Sequence, residues 1–367
     1  MMVDLQQSFD CELNRISARY NLNLKKIVAA VSGGADSLAL LFLLNNYVKK
    51  HGGELCALTV NHHLRKEADE ETEYVAALSK KNRIKHEVLH WQHEKLTNGI
   101  ESKARQARYS LMFDWCRENG YNVLMTAHHL RDQAETFLMR LQRGSGLEGL
   151  AAMSEVIMRE NVTIVRPLLK FSPDELRKFL TEKKIVWCED ASNQCDDFLR
   201  VRVRKMLPNL EKELGLSAQK IASAAAALNG AREYFAEQVE KFIKSHCRNW
   251  YGVAWSFSPE TFASIHKEIK YRVLSELLKI TTDADYAPEY SSVSRVVEEL
   301  GNKDFGGATL GGCELIKFNS RIWIVPEVQK DMGLSKIEWQ KFVQKHSEIS
   351  TAGLPYKLKL YLVRKSG

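Results

Sequence analysis

The sequence predicts an α/β fold: an N-terminal domain on a parallel sheet, then a helical region, then a smaller α+β C-terminal domain. Three observations predict it. Short apolar runs alternate with stretches of helical length through the first half, and glycine and polar clusters fall where those runs end. Past residue 217 the composition turns alanine-rich and then glycine-punctuated. Strands alternating with helices of this length imply a parallel sheet covered on both faces, with ligands beyond the carboxyl ends of the strands.

"KKIVAAVSGG" is a β-branched run ending in Gly-Gly, and "DSLALLFLLNNYVKK" follows with Leu38, Leu41, Leu44 and Val48 at helical spacing. These read as strand, tight loop and helix. "ELCALTV" is a second strand, "DEETEYVAALSKK" a helix and "IKHEVLHW" a third strand. Ile100, Ala104, Ala107, Leu111 and Trp115 mark one face of the next helix, and "YNVLMTA" is again a strand. "VTIVRPLLK" adds another strand, before a helix capped at Ser172 with Pro173 and Asp174 in its first turn. The first domain is expected over residues 1–212. A helical linker and substrate-binding region, opening with "AQKIASAAAALNGAREYFAEQVEKFIKS", is expected over 213–300. A small β-rich domain is expected over 301–367, where "GGATLGGCELIKFNSRIWIVPE" suggests strands joined by tight turns.

With 367 residues, 44% hydrophobic and 27% charged, the chain buries an ample core. Its start lacks the basic-then-apolar pattern of a signal peptide, and no apolar run approaches the ~18 residues of a membrane span, so a cytoplasmic protein without a membrane partner is expected. Seven scattered cysteines without a Cys-x-x-Cys argue against a disulfide framework and a thiolate metal site. The net charge of +7 is spread over both halves and only slightly favours a nucleic-acid partner.

"SGGADS" (Ser32, Gly33, Gly34, Ala35, Asp36, Ser37) lacks the spacing and lysine of a Walker loop. Its parts still suit a phosphate: the glycines permit close backbone approach, the serines offer hydroxyls, and the next helix aims its first N–H groups at an anion. Asp36 beside phosphate would repel it unless Mg²⁺ stands between them. The plainer alternative is a strand-helix turn with Asp36 as a helix cap.

Ser-Gly-Gly-x-Asp-Ser after the first strand resembles the loop of the ATP pyrophosphatases (PP-loop enzymes, with an adenine nucleotide alpha hydrolase-like fold), which release pyrophosphate and activate a substrate oxygen with AMP. "VNHHLRKEADEE", "ESKARQARYSLM", "TAHHLRDQAET", "LQRGSGLEGL", "VRPLL", "EDASN" and "RKMLP" narrow the resemblance to the tRNA(Ile)-lysidine synthetases over most of residues 27–208. "ATLGGCELIK" and "RIWIVPE" resemble that family's C-terminal substrate domain more loosely. The resemblance implies a ligase that joins L-lysine to carbon 2 of the wobble cytidine in a CAU-anticodon tRNA(Ile). ATP would first adenylate the cytosine oxygen, and AMP and pyrophosphate would leave.

The pairs His62, His63 and His128, His129 invite a zinc reading, but neighbours on extended backbone point to opposite faces and no cysteine completes a set. Hydrogen bonding to nucleotide or substrate suits them better, a structural role fits His63 and His129 nearly as well, and the resemblance favours His128. Asp132 and Glu135, three apart, share a helix face. They read either as a solvated helix start, where acids suit the dipole, or as acids that bind an ammonium and accept its proton. In the resembled family the matching residues hold lysine. The family shows aspartate where this chain has Arg131, and asparagine where it has Val201. Arg105 and Arg108 read as a solvated helix face, while the resemblance puts them on ATP or the activated base. Arg200, Arg202 and Arg204 would line one face of a strand but spread on a helix. Of the three, the resemblance carries over Arg200, and "RGSG" supplies a further basic, glycine-rich spot.

The expected partners are thus tRNA(Ile), L-lysine and ATP, with Mg²⁺ held through ATP and Asp36, and a homodimer is admitted. Two rivals stand beside this reading: a tRNA cytidine 2-thiolase of the same superfamily, disfavoured by the missing Cys-x-x-Cys, and a non-catalytic tRNA-binding protein, suggested by Arg131 and Val201.

Overall fold

The computed structural model describes residues 4–63, 67–93, 99–189, 199–284, 286–302, 304–328, 340, 343 and 353–365. Residues 190–193 of the EDASN motif and 64–66 of the first His-His motif lie outside them. The chain divides into two compact units, Met1–Gly230 and Ala231–Gly367.

In the first unit the elements run α1 (Leu5–Tyr20), β1 (Lys26–Ala30), α2 (Ala35–His51), β2 (Glu54–Asn61), α3 (Glu67–Lys81), β3 (Lys85–His90), α4 (Ile100–Asn119), β4 (Val123–Met125) and α5 (Leu130–Gln142). They continue through α6 (Leu147–Leu150), β5 (Val156–Arg159), β6 (Val162–Val165), α7 (Pro173–Glu182), α8 (Leu199–Leu214) and the start of α9 (Ala218–His246). Among the described residues the strands form one sheet in the order β3-β2-β1-β4-β6-β5. All of its pairs are parallel except β5 with β6, where a tight connection turns the chain back on itself. The strand order reverses between β1 and β4, and a crevice opens at such a switch point.

Helix α2 is more enclosed than its amphipathic spacing suggests: Leu38 through Leu44 are all buried. Phe9, Leu13 and Ile16 of α1 and Leu176, Phe179 and Leu180 of α7 belong to the same core, so α2 is covered on the side away from the sheet as well. Each leucine so buried contributes about 1.5–3 kcal/mol. The Ser172 cap is completed by a reciprocal bond from Glu175, a full capping box. On α4 the expected face is rotated: Met112, Phe113 and Cys116 are buried, while Ala104, Ala107, Leu111 and Trp115 are half-buried. Arg108 lies one turn before Met112 and so falls on the inward side. The "VRVR" run is helical, within α8, and Arg202 is exposed while Arg200 and Arg204, one turn apart, share a face.

The second unit contains the end of α9, β7 (Cys247–Trp250), β8 (Ala254–Phe257), α10 (Pro259–Ser264), α11 (Lys267–Thr282), α12 (Tyr290–Glu299), β9 (Ala308–Leu310), β10 (Cys313–Phe318), β11 (Arg321–Pro326) and α13 (Tyr356–Lys365). Its sheet is antiparallel, in the order β7-β8-β11-β10-β9. Residues Asn319 and Ser320 turn β10 into β11 with φ of 47° and 56°, the left-handed pair that a two-residue hairpin needs. Val273, Leu277, Val293 and Val296 pack with Phe257 and Ile322 in one core. Trp250, Trp323 and Val325 pack with Leu354, Leu358 and Leu362 in another.

These divisions differ from expected boundaries at 213 and 301. Residues 213–230 fall in the first unit. Strands β7 and β8, expected within a helical region, join the same sheet as β9 to β11, because a hairpin of four-residue strands is not stable alone and β8 pairs with β11. Among the described residues no helix is long and apolar enough to cross a membrane. Cys11, Cys56, Cys116, Cys188, Cys247 and Cys313 carry free thiols, and Cys195 lies outside the described residues.

Candidate active site

A cavity of about 400 Å³ opens at the carboxyl ends of β1, β2 and β4, lined by Ser32, Gly34, Asp36 and Ser37, by His62, by Arg108 and Tyr109, and by Thr126 and His128. Its floor is built by the loop between β1 and α2. Ser37 knits that loop: its Oγ accepts from the Ser32 N–H at 3.1 Å and donates to the Gly34 carbonyl at 2.9 Å. Gly33 stands at φ +85°, where a side chain is strained, and its carbonyl accepts the Cys188 N–H at 3.0 Å. Gly34 begins α2 without any side-chain cap, so the first N–H groups of the helix remain open to an anion. Asp36 sits in that first turn with Oδ1 buried and lacking any hydrogen-bond partner among the described residues. An orphaned carboxylate oxygen next to open N–H groups fits a cation shared with a phosphate. Among the described residues no group of three or more His, Cys, Asp or Glu gathers as a metal cage, so the rest of such a cation's shell is left to phosphate and water.

On the opposite wall His128 is half-buried, with Nδ1 at 2.9 Å from Thr126 Oγ1. Burial, helped by Arg166, Arg105 and Arg200 and opposed by Asp132, holds it down to about 3, so the ring is neutral. His62 projects into the same cavity, held down to about 4 by burial and by Arg108 and His93, and its Nδ1 is buried without a partner among the described residues. His63 faces away and stacks on His90, with ring nitrogens 2.9 Å apart. Arg105 and Arg108 approach the Tyr109 ring at 5.4 and 5.8 Å, and Arg166 hydrogen-bonds the Tyr109 side chain. Burial lowers the pKa of both Arg108 and Arg166. Among the described residues no carboxylate forms an ion pair with these three guanidiniums. Clustered cations of this kind suit a phosphate.

Below this wall lies the start of α5. His129 and Asp132 form a capping box, in which the His129 N–H donates to Asp132 Oδ2 at 3.0 Å and the Asp132 N–H donates to His129 Nδ1 at 3.3 Å. His129 Nε2 reaches Asp36 Oδ2 at 3.4 Å. Burial disfavours charge on His129, but Asp36 and Asp132 outweigh it and raise its pKa. Burial would likewise raise Asp132, yet His129, Arg200 and the His129 backbone N–H together hold it below the usual carboxylate range. Glu135 is fully buried, and its two oxygens accept from Arg200 Nε at 2.9 Å and Arg204 Nε at 2.7 Å. Arg200 also reaches Asp132 at 3.6 Å.

Of the residues singled out in the sequence, Ser32, Gly34, Asp36, Ser37, Arg108 and His128 line the cavity, whereas Gly33, Ala35, Arg105, Asp132, Glu135 and Arg200 stand outside its lining. Arg131 does not enter the site: it pairs with Asp174 of α7 at 3.7 Å, and Val201 is buried in the core. Thr126, Tyr109 and Arg166 were not singled out, and His129 was named only as a member of its pair. Arg166 had a signal, an arginine at the end of a predicted strand, but its place beside Thr126 follows only from the pairing of Met125 with Val165.

A family model described as a PP-loop domain matches residues 5–211. The chain is 34% identical to the tRNA(Ile)-lysidine synthase of Wolbachia pipientis wMel over 315 residues, 85% of this chain and 72% of that protein. It is 33% identical to that of Ruegeria pomeroyi (84% of this chain, 73% of that protein) and 31% identical to that of Rickettsia felis (92% and 78%). Among solved structures, the U34-tRNA thiolase NcsA from Methanococcus maripaludis is similar with a TM-score of 0.51 at 20% identity, covering 63% of this chain and 78% of that one, which bears on the fold alone. The matched model, the relatives and the loop geometry agree: this chain belongs to the tRNA(Ile)-lysidine synthases, a family of ligases built on the PP-loop domain.

Proposed function

We propose that the cavity adenylates the wobble cytidine of a CAU-anticodon tRNA(Ile) with ATP and then joins L-lysine to carbon 2 of that base. The observation that carries this reading is one cavity with a phosphate-suited, uncapped helix start on its floor and neutral His128 and cationic Arg108 on its walls. In the first step the cytosine oxygen attacks the α-phosphorus of ATP and pyrophosphate leaves into the loop of Ser32 to Ser37. Asp36 would hold Mg²⁺, which when bound neutralises phosphate charge. Arg105 and Arg108 are assigned to the phosphate and the activated base.

In the second step the ε-amine of lysine bonds to carbon 2 and AMP leaves, so the ammonium must first lose a proton. Asp132 and Glu135 are assigned to the ammonium, and neutral His128 is placed to hydrogen-bond the amine or the base without taking up a further proton. For Glu135 to take the ammonium, Arg200 or Arg204 must yield an oxygen, since both oxygens are engaged. Activation is required because an amide-like oxygen leaves poorly and a phosphate ester leaves well. The second unit is assigned to tRNA contacts, since telling tRNA(Ile) from another tRNA with the same anticodon requires contacts beyond the anticodon.

The test is incubation of the full chain with labelled lysine, ATP, Mg²⁺ and each of two tRNAs, isoleucine and methionine, bearing CAU. Label in the isoleucine tRNA alone is the expected result. No label in either overturns the reading, and label in both removes only the claim of discrimination.

A further inference from the structure

His129 lies outside the residues assigned to either substrate, yet it touches one from each set. As N-cap of α5 it is bound twice to Asp132, through its backbone N–H and through Nδ1. The far side of the same ring, Nε2, meets Asp36 Oδ2 at 3.4 Å. When the ring is neutral, Nδ1 accepts the Asp132 amide proton, so Nε2 must carry the ring's own proton. When the ring is charged, Nε2 carries a proton as well. In both states an N–H faces Asp36, so the contact does not depend on titration. It engages one carboxylate oxygen and leaves Oδ1 buried without a hydrogen-bond partner among the described residues.

We propose that His129 is a positioning residue joining the two halves of the reaction: it orients Asp36 for the metal-nucleotide and fixes the helix turn that presents Asp132. The proposal rests on the assignment of Asp36 to the nucleotide and Asp132 to lysine. Hydrogen bonds to the far side of a ligating group orient it and tune its affinity for the metal. A ring wedged between the two acids transmits a shift of either one to the other, and that coupling is reciprocal in binding free energy.

The test compares wild type with His129→Ser, which keeps an oxygen to cap α5 but is too short to reach Asp36. His129→Asn, an equally strong cap that also falls short, serves should the serine variant not fold. Lysine binding to the full chain is measured by calorimetry with and without Mg²⁺ and a non-hydrolysable ATP analogue. Mn²⁺ affinity with the analogue is read by electron paramagnetic resonance. In wild type the analogue is expected to tighten lysine on the order of 5- to 150-fold. The variants should bring that factor close to one and weaken Mn²⁺ by about 10-fold or more, with an unchanged circular dichroism spectrum. Wild-type coupling and Mn²⁺ affinity in the variants overturns the proposal, as does an absence of coupling in wild type. Wild type binding neither lysine nor the analogue is a different failure, that of the two-substrate reading itself.

Discussion

Helices α2 and α5 leave the same edge of the sheet, after adjacent strands, and each brings a carboxylate into the region of the site, but the two are prepared in opposite ways. Asp36 on α2 keeps an oxygen without a partner beside a helix start that nothing caps. Glu135 on α5 is completely buried with both oxygens bound to arginines, behind a helix start closed by a capping box. An acid left incomplete is organised for an incoming ligand; one completed from within holds the protein together until a ligand displaces its partners. The nucleotide half is thus ready in the unliganded chain, and the acid-rich half is not.

The largest break in that contrast is Asp36→Ala. Losing the cation that carboxylate is assigned to hold should cost several kcal/mol of transition-state stabilisation, roughly 10³-fold in ATP-dependent pyrophosphate release, with little change in melting temperature. Pyrophosphate release at the wild-type rate would remove Asp36 from the chemistry. Glu135→Gln should behave the other way round, as a stability variant first. Removing one partner of a buried ion pair costs about 3–5 kcal/mol, and with both arginines about one-third exposed a loss of about 2–3 kcal/mol is expected in urea unfolding. A variant as stable as wild type would show that Glu135 is not an internal anchor.

A further effect is a pH dependence. In the native state His62 and His128 stay neutral down to about 4 and 3, whereas unfolded imidazoles take up protons near 6.5. Between those limits the unfolded chain binds more protons, so stability present above pH 6.5 is lost as pH falls through that window. His129, with its raised pKa, works in the opposite sense. Replacing both His62 and His128 by Asn should flatten the decline in unfolding free energy between pH 6.5 and 4.5, and an unaltered slope would contradict their burial as neutral rings.

Most of the parallel sheet is legible from alternating apolar runs, and the phosphate loop from its glycines and serines, because these are local signals. Helix α1 is equally readable from Phe9, Leu13 and Ile16, whose spacing marks a helical face. The face of α4 was misread because alanines and Trp115 pattern as well as Met112, Phe113 and Cys116, and only the packing partners decide between them. The double hold on Glu135 could not be read at all: Arg200 and Arg204 are more than sixty residues away, and only the packing of α8 on α5 brings them to it. His129 stays open in the sequence between a structural and a binding role, because one residue's two ring nitrogens meeting two separate motifs is a tertiary fact.

Enclosure of α2 by α1, α7 and the sheet has a consequence for how the loop tolerates disturbance. A helix with few exposed flanks has no cheap partial opening, so its amides beyond the open first turn should exchange with solvent only when the whole N-terminal unit unfolds. The Asp36 turn therefore inherits the lifetime of the hydrophobic core, and chain fluctuation does not blur the nucleotide seat. The cost falls on evolvability: changing the register or direction of this loop means repacking the interior of the domain, whereas the arginine-held end of α5 can be retuned by substitutions on partly exposed side chains.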